Sequence, residues 1–391
     1  MKQLENNFRT FFLCVLLFFL SQGKTDAQTA HDMDSIEIGL ITCSPHEEIY
    51  SLYGHSALRY HNLRTKQDIA FNWGVFNYKA PHFVLRFVFG LTDYELGIFP
   101  FRGFIEYYRQ WGSEVDEQVL NLTPEEKRRI TDALAVNLRP ENIIYRYNFF
   151  YDNCSTRPRN IIEENIDGEI IYAPRPDYHP SFREMIHEKN AHHPWSAFGN
   201  DLLLGCKADC ETTLRDQEFL PANLMFDFDH AVIKSNGQTR PLVKERRIIV
   251  PAGKQVVKKE FPLSPFQCAL LIGGLFLAVF IWEYKHKKCL PAFDAVVMAG
   301  LGITGCIIFI MLFSQHPTTS TNLQILLFNP VHLFFIPSVL RRKTPNRYWT
   351  FLITLVCLFL IGSWFQTYAS GTIILALCLL SRYWSHLKYE S

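Results

Sequence analysis

A cysteine and a histidine, far apart in the chain, suggest the first chemistry that this sequence could perform. Cys154 follows the polar turn Tyr151-Asp-Asn and precedes a helix-like run. Unpaired N–H groups at a helix N-terminus create a positive potential, which lowers the pKa of a thiol and favours the nucleophilic thiolate. His55, in the segment Tyr53-Gly-His-Ser, would supply the base and later the acid. Acyl transfer through a thioester needs little more than this pair.

Three polar residues are candidates to support the pair. Asn72 follows the His55 segment in a strand-like run after a polar turn. A hairpin would therefore bring its amide near the imidazole, which it could orient. Ser56 and Asn153, with the backbone N–H of Cys154, could donate hydrogen bonds to an oxyanion. Asn153 is equally suited to a turn or a helix cap, and the cysteine itself could serve only packing or a disulfide.

The remaining polar features exclude some classes of protein. The net charge is +1 over 391 residues, and the sequence contains no basic stripe or zinc-knuckle spacing, so we expect no nucleic-acid partner. His61, His192 and His193 lack metal-ligand spacing with a carboxylate, so we expect no metal and no cofactor. Arg157 could contact a lipid phosphate or lie on a solvated helix face. Cys206 and Cys210 could form a local disulfide or remain free thiols.

The elements that must position these residues indicate an α+β domain. Strand-like runs cover Ser35–Thr42, Tyr50–His61 and Asp68–Val75. A helix begins after Thr123, because Thr caps, Pro occupies the first helical position and Glu126 can close a capping box. A further strand, Ile143–Phe149, leads into Cys154. The aromatic segment between Ala80 and Tyr108 could form core, line an acyl groove or rest on a membrane interface.

The two ends of the chain predict export and membrane insertion. Residues 1–27 read as a signal peptide, with a short apolar core that is cut after Ala27, or alternatively as an uncleaved anchor. Residues 28–260 form the exported domain and residues 261–391 a membrane domain of about five helices. Its apolar runs are Phe266–Trp282, Phe293–Phe313, Leu323–Leu340, Trp349–Phe365 and Ser370–Leu380.

The charges between these runs predict the orientation. Lys and Arg follow the first, third and fifth runs, whereas the loops 314–322 and 366–369 contain neither. By the positive-inside rule, the large domain and both uncharged loops lie outside. One of these loops carries His316 and Asn322, and Asn329-Pro330 interrupts the third run. His316, Asn322 and Asn329 could bind a lipid headgroup, or Asn329-Pro330 could mark a helix kink whose amide is satisfied.

Taken together, these motifs resemble a known family. The order His55 before Cys154, the segments Tyr53-Gly-His-Ser, Asp152-Asn-Cys-Ser-Thr and Phe71-Asn-Trp-Gly, and the multispan tail look like Lnb-type lipoprotein N-acyltransferases. The order also resembles permuted papain-like (NlpC/P60-type) folds. The resemblance implies Cys154 as nucleophile and His55 as base. It implies a multi-pass enzyme of the bacterial inner membrane, with its catalytic domain on the periplasmic side.

The implied partners are membrane lipids, a phospholipid that donates the acyl chain and a diacylated lipoprotein that accepts it on the α-amino group of its N-terminal cysteine. Other functions remain open for the same residues. With water as the acceptor the protein would be a phospholipase or thioesterase, and with a peptide bond as substrate a peptidase. A non-enzymatic envelope binding protein would use its spans only as an anchor.

Overall fold

The computed structural model describes residues 33–76 and 81–389 of the chain, so the predicted signal peptide lies outside the described residues. The chain forms two compact units. The first contains the described residues up to Phe83, together with Thr92–Asp177 and Thr213–Lys258. The second contains Val84–Leu91, Tyr178–Thr212 and the chain from Lys259 onward. The domain boundary at residue 260 stays a prediction.

An antiparallel seven-stranded sheet is the centre of the first unit, and its strand order is β10-β5-β1-β2-β3-β4-β6. A small sheet of order β7-β8-β9 accompanies it. The strands are β1 (Ile36–Cys43), β2 (His55–Asn62), β3 (Gln67–Val75), β4 (Asp93–Pro100), β5 (Val115–Leu120), β6 (Ile144–Arg146), β7 (Glu169–Ile171), β8 (Val232–Ser235), β9 (Gln238–Pro241) and β10 (Val243–Val250).

The β2–β3 hairpin sets the register of the residues that matter most. Asn62 pairs with Gln67, and its side-chain oxygen accepts hydrogen bonds from the N–H groups of Arg64 and Thr65, both at 3.0 Å. Such an Asx turn closes the hairpin locally. β2 begins at His55 rather than at Tyr50, because Ile49–Ser51 forms a 3-10 turn before it.

Helices cover both faces of this sheet. Those of the first unit are α2 (Phe101–Trp111), α3 (Pro124–Asn137), α4 (Thr156–Asn165), α7 (Leu214–Gln217) and α8 (Pro221–His230). On one face, apolar residues of α3, α4 and α8 form a core with the inward side chains of β1 to β4. On the other, α2 packs Phe101, Phe104 and Tyr108 against the sheet. The capping box predicted at Thr123 is present, with both of its hydrogen bonds to Glu126.

The second unit is helical. It contains α5 (Phe182–Lys189), α6 (Pro194–Leu203), α9 (Pro265–His286), α10 (Pro291–Leu312), α11 (Val331–Leu340), α12 (Asn346–Gly362), α13 (Thr372–Tyr389) and all but the first residue of α1 (Phe83–Val88). In the described part of the chain, three stretches are long and apolar enough to cross a membrane: α9, α10 and Leu323–Leu340. α12 is a shorter apolar helix. The predicted α+β domain followed by a helical membrane domain is confirmed.

A buried ionic cluster joins three helices of this unit. Arg382 of α13 bonds both carboxylate oxygens of Asp294 on α10, at 2.8 and 2.9 Å, and both of Glu283 on α9. His386 donates to Asp294 at 2.9 Å and stacks on Trp349 with ring centroids 3.9 Å apart. Every member of the cluster is buried. Because each carboxylate has a cationic partner, the desolvation cost of the four polar groups is offset within the cluster.

Candidate active site

A tight loop between β6 and α4 presents Cys154. The backbones of Asn148 and Asp152 exchange two hydrogen bonds, at 3.0 and 2.9 Å, which closes the loop. The side-chain oxygen of Asn153 then accepts from the N–H groups of Ser155 and Thr156, at 2.8 and 3.0 Å. α4 starts at Thr156, so the half-buried thiol lies just before the first turn of the helix. This is the position where the helix potential favours a thiolate.

The histidine and the asparagine come from neighbouring strands. His55 opens β2, and its Nε2 lies 2.5 Å from Oδ1 of Asn72 on β3. Since an amide oxygen only accepts, Nε2 carries a proton and Nδ1 is the nitrogen available to Cys154. Gly74 lies beside both reactive groups, because a Cβ at this position would be 3.9 Å from Cβ of Cys154 and from Cε1 of His55. The structure thus brings these three predicted residues together.

The electrostatics of the pair favour a thiolate and an imidazolium. Burial opposes the charged form of Cys154, but the charge of His55 and hydrogen bonds from His55, the Ser56 backbone and Ser155 outweigh it and lower the pKa of the thiol. Burial also opposes a charged His55, but the charge of Cys154 and the hydrogen bonds to Cys154 and Asn72 raise the pKa of the imidazole. Each group therefore stabilises the charge on the other.

The two predicted oxyanion donors have different positions. Ser56 reaches Cys154 through its backbone N–H, while its hydroxyl lies 3.1 Å from the hydroxyl of Ser155. The amide of Asn153 donates to the carbonyls of Phe149 and Phe219, both at 2.9 Å, and its oxygen closes an Asx turn that leads into α4. With both N–H groups used, the Asn153 side chain has no donor left for an oxyanion. The contacts of Asn153 are those of the turn that the sequence offered as an alternative to the oxyanion role.

An aromatic cavity of about 430 Å³ opens beside the thiol. Cys154, His55 and Asn72 line it together with aromatic side chains from several elements, namely Tyr50, Tyr53, Phe76, Tyr94, Phe99, Phe104, Tyr107, Tyr108, Tyr147, Phe149 and Phe219. Tyr108 stacks on His55, with ring centroids 6.3 Å apart, and hydrogen-bonds the buried thiol of Cys43. Sequence reasoning missed most of these residues, although the aromatic richness of the segment 80–108 was a signal for five of them, Tyr94, Phe99, Phe104, Tyr107 and Tyr108.

The four residues predicted to contact lipid are engaged elsewhere. Arg157 forms a two-pronged ion pair with Asp152, at 2.5 and 2.6 Å, and its guanidinium lies over the ring of Tyr145. The other three belong to the second unit. Asn322 donates to the carbonyl of Leu202 at 2.9 Å, and His316 donates to the carbonyl of Phe87. Asn329 accepts from the N–H of Val331. The bond from Val331 satisfies the side-chain oxygen of Asn329, in line with the kink interpretation.

The His, Cys, Asp and Glu side chains of the described residues are the candidate ligands for a metal ion. Over residues 33–76 and 81–389, no group of three or more His, Cys, Asp or Glu side chains is arranged to hold a metal ion. Cys206 and Cys210 are free thiols in this structure.

Two family models match the chain, one in each half. The model described as the Lnb N-terminal periplasmic domain matches residues 24–184, which include His55, Asn72 and Cys154. The model described as the Lnb transmembrane domain matches residues 257–391. The chain belongs to the Lnb family. Neither the curated proteins nor the solved structures contain a match to it.

Family membership confirms the predicted location. This Lnb-family chain is a multi-pass inner-membrane protein with a periplasmic N-terminal domain. Its two domain families point to a function of the lipoprotein N-acyltransferase type, with lipoproteins and lipids as the class of substrates.

Proposed function

We propose that this protein moves an acyl chain from a phospholipid to the α-amino group of a diacylglyceryl-cysteine, by way of a thioester on Cys154. The observation that carries the proposal is the alignment of Cys154, His55 and Asn72 at the wall of an aromatic cavity. The thiol and the imidazole supply the nucleophile and the base, and the cavity supplies an apolar place for an acyl chain.

In the first half-reaction His55 takes the thiol proton on Nδ1, and the sulfur of Cys154 attacks the ester carbonyl of the phospholipid. The backbone N–H of Cys154 and the positive potential at the N-terminus of α4 stabilise the oxyanion that forms, and the N–H of Ser56 supports the sulfur. Collapse of this intermediate breaks the ester C–O bond, and His55 returns its proton to the departing oxygen. The products are the acyl-thioester and a lysophospholipid.

In the second half-reaction the lipoprotein amine attacks the thioester. His55 accepts a proton from the amine nitrogen, the C–S bond breaks, and an amide is formed while the sulfur of Cys154 leaves. Asn72 holds the imidazole in one tautomer through both halves, because its amide oxygen accepts from Nε2. No proton or electron is needed from a cofactor.

Exclusion of water from the thioester decides between transfer and hydrolysis. Aromatic rings dominate the cavity wall, so an acyl chain that fills the cavity contacts mainly carbon and displaces water from around the thioester. An acyl-thioester in such a site persists until an amine arrives. This favours the acyltransferase over a phospholipase that uses the same pair.

Mass spectrometry of a reporter lipoprotein tests the proposal. Cells with the wild-type protein should add one amide-linked acyl chain to the N-terminal peptide, and cells with Cys154→Ala should not. Cys210→Ala is the matched control, since Cys210 is an exposed thiol of the second unit. Release of free fatty acid without acylated peptide would establish a hydrolase. Equal acylation by wild type and Cys154→Ala would refute a thioester on Cys154.

A second measurement looks for the intermediate itself. The purified enzyme, incubated with phospholipid and no lipoprotein, should gain the mass of one acyl chain, and hydroxylamine should remove it. The Cys154→Ala protein should stay at its original mass. A wild-type mass that does not change in the presence of active donor would contradict the two-step mechanism.

A further inference from the structure

The connection between β3 and β4 exposes an apolar patch. It leaves the catalytic sheet after β3, and its residues Val84–Leu91 belong to the second unit. Four of its large apolar side chains are exposed: Leu85 (56%), Phe87 (42%), Phe89 (39%) and Leu91 (36%). Single exposed apolar residues are ordinary, but four within seven positions form a patch that marks an interaction surface.

The patch is fixed to the loop that follows α10. The N–H of Gln315 donates to the carbonyl of Phe89 at 3.1 Å, and the ring of His316 donates to the carbonyl of Phe87 at 3.3 Å. Gly90 has a φ of +68°, and a Cβ at this position would lie 3.1 Å from Ser314 Oγ and from Gln315. The segment and the loop therefore approach so closely that a side chain at Gly90 would be strained by its φ and would push the loop away.

The same loop locates the patch at the membrane surface. α10 is long and apolar enough to cross a membrane, and its outward-facing Phe309 and the following Phe313 are 48% and 71% exposed. Ser314–His316 come next in the chain, so the patch continues the lipid-facing surface of a span. The loop 314–322 contains no Lys or Arg, whereas Lys285, Lys287 and Lys288 precede α10, which places the patch at the periplasmic end.

We propose that the segment Val84–Leu91 lies in the periplasmic leaflet of the inner membrane, with Leu85, Phe87, Phe89 and Leu91 inserted among the lipids. A short apolar segment at headgroup depth buries its side chains at the boundary between headgroups and acyl chains, where aromatic residues are favoured. Arg86 lies among these side chains, and its Nε donates to the carbonyl of Leu91 at 3.2 Å, which holds the end of the segment to α1. The occupant of the patch is thus lipid, not a protein partner.

This assignment gives His316 a role in positioning. His316 holds the backbone of Phe87 and packs its ring beside the Phe87 ring, with centroids 6.0 Å apart. The polar loop between two spans therefore anchors the inserted segment. The inference does not depend on the acyltransferase reaction, because it concerns where a surface lies and not what the thiol does.

Photocrosslinking of the full-length protein in lipid nanodiscs tests the inference. p-Benzoylphenylalanine replaces Leu85 or Phe87, and the discs contain phosphatidylethanolamine and phosphatidylglycerol. Phe313 is the lipid-exposed reference, and Val136, a 41% exposed residue of α3, is the water-exposed reference. Mass spectrometry should find lipid adducts at Leu85 and Phe87 with at least half the yield at Phe313, and almost none at Val136.

Two results would overturn the inference. Yields at Leu85 and Phe87 as low as at Val136 would place the patch in water. Adducts with protein in place of lipid, in discs or in whole cells, would identify the patch as a protein interface. The purified enzyme retains its own activity assay, so failure of the crosslink is distinguishable from failure of the proposed reaction.

A variant that releases the segment sharpens the test. Gly90→Val combines a bulky side chain with a left-handed φ and should lower the lipid adduct at Phe87 severalfold. The adduct at Phe313 should stay unchanged, because the variant leaves α10 in place. An unchanged Phe87 yield in Gly90→Val would contradict anchoring by the Ser314–His316 loop.

Discussion

Two histidines, one in each unit, bond to a side-chain oxygen and yet have different surroundings. His55 gives one ring nitrogen to Asn72 and faces the thiol of Cys154 with the other, at the wall of a cavity. His386 is fully buried, bonds Asp294 and stacks on Trp349 within a cluster that Arg382 completes. The first histidine has a reactive neighbour and room for a substrate, whereas the second is enclosed by its partners.

The difference teaches how to separate chemistry from architecture among buried polar groups. A buried ionic cluster that satisfies its own charges stabilises one arrangement of helices, and removing a member leaves an uncompensated charge. The His55 cluster ends at a cavity and contains a thiol of lowered pKa, so its groups can react with a substrate or hydrogen-bond to it. Variants of the His55 cluster should therefore change the reaction rate, and variants of the Arg382 cluster should change stability.

The largest effect is expected for His55→Gln. Losing the group that moves the proton should lower the rate of lipopeptide N-acylation about 10²- to 10⁴-fold. The melting temperature should change little, because the amide of Gln can still donate a hydrogen bond to Asn72. The measurement is the initial rate with a synthetic diacylated lipopeptide. His61→Gln, at the far end of the same strand, is the control and should keep the wild-type rate. Equal rates for the two variants would rule out His55 as the base.

Arg382→Met should instead lower stability. Removing the cation leaves Glu283 bonded to the N–H of Leu290 and Asp294 bonded to His386, so two buried carboxylates lose their shared guanidinium, which costs about 3–5 kcal/mol. Thermal unfolding in detergent should show a clear fall in melting temperature, while the rate per folded molecule stays near the wild-type value. Arg347→Met removes an exposed cation and should melt like wild type. If both variants melted alike, the cluster would not be a stabilising one.

The smallest effect concerns pH. The pKa of Cys154 is lowered and that of His55 is raised, so the thiolate–imidazolium pair exists at pH values between these two pKa values. A plot of kcat/KM against pH should therefore be bell-shaped, and its acid and alkaline limbs report the pKa values of the coupled pair. Asn72→Ala removes a hydrogen bond that favours the imidazolium, and the alkaline limb should move to lower pH. Asn72→Asp adds a negative charge there and should move this limb to higher pH. A limb that stays in place in both variants would exclude Asn72 as the positioning group.

Local signals account for what could be predicted about the site. The Asx turn at Asn62 and the strand-like runs on either side of it lie close together in the chain, so the hairpin and the approach of Asn72 to His55 could be anticipated. The helix that begins at Thr156 follows from the sequence around Cys154 in the same way. The contact between these two segments could be expected only because a nucleophilic cysteine needs a base, since no local sequence signal shows that β2 packs beside the start of α4.

Roles that depend on distant partners could not be read in advance. Asn153 was a candidate both for an oxyanion donor and for a turn or cap residue, and the carbonyl of Phe219, from a different part of the chain, takes one of its N–H groups. Tyr147 and Phe219 reach the cavity from elements far from His55 in the sequence. Arg382 resembled one more cytoplasmic charge after the last apolar run, and its burial with Glu283 and Asp294 depends on three helices packing together.

The amino-acid sequence alone determined the class of this protein: an exported α+β domain, a helical membrane domain and its orientation, and a cysteine before a helix with a histidine on a strand. These depend on hydrophobic periodicity, capping and charge bias, all of which act over a few residues. Tertiary structure decided which polar groups are satisfied, which aromatic side chains enclose the cavity, and that Val84–Leu91 packs on the loop after α10. Such contacts join residues distant in the chain, where burial and hydrogen bonding depend on the whole packed unit.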